Sequence, residues 1–129
     1  MATLKKRKES VLVRGCLVYL CDILGLFAWR NNTGAMRGSY RGKPWFVHFG
    51  AKGSGDILGI LPNGRFMSIE CKKPGETPTD DQEIWAERVR AAGGLPLTIY
   101  SLGELEDAMS EVLGRSGPTL GGSRRAGRK

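Results

Sequence analysis

The chain has one histidine, His48, and three cysteines, Cys16, Cys21 and Cys71. A lone imidazole makes a His-rich metal centre or a histidine-paired nucleophile hard to build. Three thiols are an odd number without metal-finger spacing, and Cys16 and Cys71 sit where apolar residues belong. They read as buried free thiols of a reducing compartment, not as a disulfide framework. No apolar run approaches the roughly 18 residues that a membrane span needs. The basic start Lys5-Lys6-Arg7-Lys8 leads into apolar residues, but Glu9, Arg14 and Asp22 interrupt them and no small-residue cleavage site follows. That argues against a secretion signal. The expectation is an intracellular protein without a membrane association.

Acid is missing from three places. Residues 1–8 carry four basic residues and no acid, and residues 115–129 carry five (Arg115, Arg124, Arg125, Arg128, Lys129) and no acid. Against a net charge of +7, the centre of the chain is therefore slightly acidic. Within it, Arg30, Arg37, Arg41, Lys43 and Lys52 lie between Asp22 and Asp56 with no acid among them. A basic stretch beside an acidic pocket suits a polyanion on which the pocket acts. A solvated surface would carry the same charge.

What is present fits one compact domain. The 129 residues are 40% hydrophobic, enough for a core. From Glu9 to Leu24, Leu12, Cys16, Leu20 and Leu24 recur at four-residue spacing, which predicts a helix with Glu9 in its first turn and Gly25 as its stop. Leu26 to Arg30 predicts a short strand. Residues 34–43 read as a flexible loop whose Arg37, Tyr40 and Arg41 suit a phosphate backbone and a base face. Trp45 to Phe49 predicts another strand. The Gly50–Gly55 turn lacks the Gly-Lys-Ser/Thr ending of a phosphate loop, and its glycines suit close approach to a ligand. Thr79 and Gln82 have capping-box spacing for a helix whose buried face is Ile84, Trp85, Val89 and Ala92. Leu95 to Tyr100 predicts a strand, and Ser101 with Glu104 a second capping box for a helix to Leu113. The tail after Gly114 lacks periodicity and reads as disordered. The order predicts an α/β domain with a mixed sheet flanked by helices. A basic arm (1–8), a domain (9–113) and a basic tail (114–129) divide the chain.

The chemistry concentrates in two strands around Pro62-Asn63-Gly64. Residues two apart on a strand share a face, so Ser68, Glu70 and Lys72 point one way and Met67, Ile69 and Cys71 the other, into the core. A three-residue turn pairs Leu61 with Arg65 and sets Asp56 opposite Glu70 on the same face, with Gly64 suited to the left-handed position. A two-residue turn would pair Asp56 with Cys71 and separate the carboxylates. The odd-length pairing is the expectation. Two facing carboxylates repel unless a cation or proton sits between them, and Mg²⁺ is the natural occupant. The Cys71 backbone carbonyl is a further ligand candidate. Lys72 is placed to orient a water or offset phosphate charge. A surface carboxylate–lysine cluster is the plainer alternative, but Ile57, Leu58, Ile60, Met67 and Ile69 make these strands central.

Asp56 followed by Glu70-Cys71-Lys72 resembles the D…E-X-K signature of the PD-(D/E)XK nucleases. The longer run is more specific: Trp29-Arg30-Asn31-Asn32-Thr33-Gly34-Ala35, Phe49-Gly50, Gly53-Ser54-Gly55-Asp56-Ile57-Leu58-Gly59, Ile69-Glu70-Cys71-Lys72, Thr79 to Gln82, and Gly93-Gly94. It resembles the virus-type replication-repair nuclease (VRR-NUC) domain in its small standalone phage and bacterial form, over Glu9 to Leu113. The resemblance implies a restriction-endonuclease-like αβββαβ core and Mg²⁺-dependent cleavage of DNA, with Mn²⁺ as substitute. It implies metal ligation by Asp56 and Glu70, a catalytic Lys72, a supporting Gln82 and an accessory acid at Glu9. Arg30, Asn32, Arg37, Arg41, Lys43, Lys52 and Lys73 are the DNA-binding candidates. Such relatives imply a homodimer acting on branched DNA such as four-way junctions, in the cytoplasm of a bacterium or phage-infected cell. A non-catalytic nucleic-acid-binding module on the same fold, or a restriction-type duplex nuclease, are the competing expectations.

Overall fold

The computed structural model describes residues 10–32 and 34–114. The basic arm, Glu9 and the tail beyond Gly114 lie outside the described residues, and so do the expectations attached to them. Among the described residues the elements run α1 (Val11–Leu17), a π-helical continuation (Val18–Ile23), β1 (Phe27–Arg30), β2 (Gly34–Tyr40), β3 (Lys43–Phe49), β4 (Ile57–Ile60), β5 (Phe66–Cys71), α2 (Asp80–Ala91), β6 (Leu95–Ile99) and α3 (Leu102–Leu113). The fold is mixed α/β. A four-stranded sheet has the order β1-β4-β5-β6, and β2 with β3 forms a separate two-stranded sheet. β4 and β5 are the central strands. β1–β4 and β4–β5 are antiparallel, while β5–β6 is parallel across the α2 connection.

The core lies on one face of the sheet. Val13, Cys16, Tyr19 and Leu20 meet Ile57, Met67, Ile69 and Ile99 from the sheet and Leu105 and Met109 from α3. α2 packs against β5 and β6. The alternation along β5 decides what each helix layer sees. Met67 and Ile69 are fully buried in the core, and Ser68 is buried beneath Trp85 of α2.

Four local expectations are corrected. The first helix is not a uniform α-helix as far as Leu24. Ser10 caps it, its hydroxyl accepting from the N–H groups of Leu12 and Val13. After Leu17 the turn widens, so that the Leu24 N–H reaches the Tyr19 carbonyl. This wider turn buries the adjacent Tyr19 and Leu20 together, which a fixed four-residue stripe does not foresee.

The stretch 34–43 is not a loop. It is most of a hairpin whose two-residue turn, Arg41-Gly42, has both residues left-handed (φ 50° and 77°). On α2 only Val89 is fully buried: Ile84 is 57% exposed and Ala92 is exposed, because just one edge of that helix meets the sheet. At α3 the Ser101 hydroxyl caps Glu104 as expected, but the Glu104 carboxylate accepts from the N–H of Tyr100, one residue further back than a capping box requires.

The β4–β5 turn enclosed by Leu61 and Arg65 has three residues, Pro62, Asn63 and Gly64. Ile57 pairs with Ile69 and Ile60 with Phe66, and the Leu61 N–H donates to the Arg65 carbonyl at 2.8 Å. Gly64 closes the turn at φ 87°, and the Asn63 side chain accepts from the Arg65 N–H. Gly64→Ala forces a Cβ into the left-handed region and should cost about 1–2 kcal/mol. Urea denaturation of the two proteins measures it, and unchanged stability would show that the turn tolerates a side chain there.

Candidate active site

Continuing the register one step beyond β4 sets Asp56 opposite Glu70. Asp56 itself is a bend outside the strand. β5 runs on where β4 has not begun, and the Asp56 side chain takes up the next bond of the ladder: its Oδ2 accepts from the Cys71 N–H at 2.8 Å. The acid is thereby held against the edge of β5 beside Glu70. Its backbone is fixed from the other side, the Asp56 carbonyl accepting from the Asn31 N–H at 2.8 Å.

Glu70 projects on the α2 face of the sheet. Its Oε2 accepts from Gln82 Nε2 at 2.8 Å and lies 3.9 Å from Lys72 Nζ. The Glu70 and Lys72 side chains are only 14% and 10% exposed. Gln82 serves two purposes without conflict, because an amide has two ends. Its Oε1 accepts from the Thr79 N–H at 2.9 Å, completing the capping box, while its NH₂ holds Glu70.

The Glu70 carboxyl is pushed up to about 7. Burial is the main cause, followed by the charge of Asp56; Lys72 opposes the shift and Glu76 adds to it. Two acids placed so that one resists ionising form a site that a cation would relieve. The donors suit a hard cation: two carboxylates and a peptide carbonyl. That carbonyl faces the correct way. The Cys71–Lys72 peptide gives its N–H to Ile99 of β6, so its carbonyl, trans to that N–H, faces the side from which Asp56 approaches. Among the described residues no group of three or more His, Cys, Asp or Glu side chains is placed to hold a metal. A cation here would take its other ligands from the backbone, water and substrate.

Cys71 turns its side chain to the core, against Cys16 of α1. The hydrogen bond to the Cys16 thiol and then burial push Cys71 above the ordinary thiol range, while the same bond lowers Cys16. Both are free thiols, as is Cys21.

At Gly53 and Gly55 the turn lies close against protein. A Cβ on Gly53 would lie 2.3 Å from the Asp81 carbonyl at the start of α2. One on Gly55 would lie 2.6 Å from the Ile69 carbonyl and the Ser68 hydroxyl. Both glycines let the turn press into the angle between α2 and β5. A cleft of about 270 Å³ remains beside Glu70 and Gln82, walled also by Ser68, Trp85 and Thr98.

The remaining candidates divide into two groups. Arg30, at the end of β1, pairs in register with Ile57 next to Asp56. Asn32, two residues on, is exposed. Lys52 lies 3.5 Å from the Asp81 carboxylate at the α2 start, and exposed Lys73 follows Lys72. Arg37, Arg41 and Lys43 instead lie on the β2–β3 hairpin.

Two positioning residues went unrecognised in the sequence. Asn31 donates from Nδ2 to Ser54 Oγ at 2.7 Å and to the Gly55 carbonyl at 2.8 Å, locking the turn that delivers Asp56. Trp85 donates from its indole nitrogen to buried Ser68 at 2.8 Å, holding α2 over β5. An amide directly after a strand is the signal that marks Asn31, since it can cap a neighbouring loop. Trp85 reads only as a core residue until its partner is known.

Over 48 residues the chain is 51% identical to a protein named "Putative nuclease p44" from Acyrthosiphon pisum secondary endosymbiont phage 1. The match takes in 37% of this chain and 52% of that protein, so the chain spans about half the length of this curated relative. No family model matches the chain, and no solved structure does.

The Glu70 shift has a testable consequence. Between pH 4.5 and about 7 the unfolded chain gives up this proton while the folded chain keeps it. The unfolded state binds fewer protons there, so the Glu70 contribution lowers stability as pH rises through that window and is constant above it. Glu70→Gln keeps the shape and removes the charge. Without divalent cations, the variant should exceed the parent above pH 7 by up to roughly 3 kcal/mol, with the gap closing below pH 4.5. Denaturant titrations in chelator across this window measure it, and a gap independent of pH would contradict the assignment.

Proposed function

We propose that the chain is a divalent-metal-dependent DNA endonuclease with a PD-(D/E)XK-type site. The observation that carries the reading is the convergence of Asp56, Glu70, Lys72 and Gln82 on one face of the central strands. The similarity to part of a phage protein named as a nuclease supports it; the Gly53–Gly59 and Ile69–Lys72 runs, which contain the same residues, resemble VRR-NUC domains.

In this reading Asp56, Glu70 and the Cys71 carbonyl hold Mg²⁺, or Mn²⁺ in its place. Bound there, the cation supplies polarisation of a phosphate oxygen and a water of lowered pKa. The chain's own residues do the rest. The Cys71 N–H orients Asp56. Gln82 fixes the rotamer of Glu70 through a hydrogen bond to the carboxylate. Lys72, nearly buried, keeps its ammonium where phosphate charge develops, and a fixed cation of this kind contributes without reorganising. Arg30, Asn32, Lys52 and Lys73 surround the site as phosphate contacts. The substrate is branched DNA, four-way junctions foremost, cut by a homodimer whose two sites act across a two-fold axis.

The test incubates purified protein with Mg²⁺ and a panel of four-way junction, flap, single-stranded and duplex DNAs. Asp56→Asn and Lys72→Ala should each lower cleavage by at least about 10²-fold while retaining binding in chelator. Paired symmetric nicks on the junction support the dimer. Undiminished cutting by both variants refutes the site, and binding without any Mg²⁺-dependent product identifies a binding module instead.

A further inference from the structure

The β2–β3 hairpin is built unlike the rest of the domain. It pairs only with itself and packs chiefly against itself among the described residues. An isolated two-stranded ribbon is marginal in water, yet this one leaves its rings outside. Tyr40 is 66% exposed, Phe46 52% and Trp45 38%, and the Met36 thioether is 56% exposed beside them.

Its cross-strand pairs show how it holds together. Gly38 stands directly opposite Trp45, and a Cβ on Gly38 would lie 2.4 Å from the indole ring. The missing side chain lets the indole lie flat across the neighbouring strand with its outer side uncovered. On the other face Arg37 stands opposite Phe46, its guanidinium 5.4 Å from the ring centre. At the tip the Arg41 guanidinium is 5.4 Å from the Tyr40 ring. These contacts set cations beside the rings.

The charge says what covers this surface. Residues 34–49 hold Arg37, Arg41 and Lys43 and no acid. Two copies laid together would set like charges face to face, whereas a phosphate backbone neutralises them. Exposed rings flanked by cations are the chemistry of single-stranded nucleic-acid binding, because only unpaired bases have faces free to stack. The arm is also tied to the site at both ends. Gly34 follows four residues after Arg30, and a short turn carries Phe49 on to Asp56.

We propose that the hairpin is an arm that grips unpaired nucleotides of the substrate next to the catalytic face, Trp45 and Tyr40 stacking on bases while Arg37, Arg41 and Lys43 contact phosphates. This rests on the nuclease reading for what happens to the strand, but not for its binding.

The test is fluorescence anisotropy of the whole protein in chelator with labelled single-stranded DNA and duplex of equal length. Trp45→Ala should weaken single-strand binding about 5- to 150-fold, the range expected for one lost stacking contact, with a smaller effect on duplex. Trp45→Phe should recover most of the affinity and Trp45→Leu should not. Arg37→Gln should reduce the salt slope for single strands by about 0.7. Circular dichroism and thermal melting verify that each variant is folded. Full affinity in Trp45→Leu, equal losses on single strands and duplex, or a monomer–dimer change produced by Trp45→Ala would each overturn the proposal. Single-strand binding that depends on Trp45 in a protein without Mg²⁺-dependent cleavage would keep the arm and discard the nuclease.

Discussion

One hydrogen bond organises the centre of this protein: the Cys71 N–H to the Asp56 carboxylate. It exists because β4 and β5 join through an odd number of residues. In an antiparallel pair the parity of the turn decides which side chains share a face. With three residues in the turn, Asp56 falls on the row of Ser68 and Glu70, while Ile57, Met67 and Ile69 go to the core. Shifted by one residue, an isoleucine would be forced to the polar face and the acids would part. The hydrophobic burial that holds the sheet together therefore also enforces the geometry of the acids.

Around that pair the chain assembles supports, each satisfying a polar group as it does so. Asn31 closes the preceding turn, and Gly53 and Gly55 let it lie against α2 and β5. Gln82 spends one end of its amide on the helix cap and the other on Glu70, so the position of α2 and the rotamer of the acid are coupled. Trp85 and Ser68 pin the same helix one turn further along. The outcome is a carboxyl that ionises reluctantly beside a second acid and a nearly buried lysine. Such an arrangement lowers stability and suits a cation.

The domain thus has two regions of opposite character. The four-stranded sheet with its helices carries the buried core and holds Glu70 and Lys72 nearly covered. The hairpin is a basic, aromatic projection with little packing of its own. The proposed activity draws on both, the acids as a site for the phosphate and the hairpin as a surface for the strand.

Local signals determined most of the elements and half of the site. Apolar residues on either side of the Pro62-Asn63-Gly64 turn marked β4 and β5, cap chemistry placed α2 and α3, and Gly64 marked the odd turn, so Asp56, Glu70 and Lys72 were legible as a group. Those features depend on contacts within a few residues, which sequence carries directly. Tertiary structure decided the remainder. The widened turn after Leu17 answers to the packing of Tyr19 and Leu20 against the sheet. The hairpin was hidden because Arg41, a residue with no turn preference, takes a left-handed position, and because Trp45 packs on an absent side chain at Gly38. Asn31 and Trp85 gained their roles only when partners 23 and 17 residues away came within hydrogen-bonding distance.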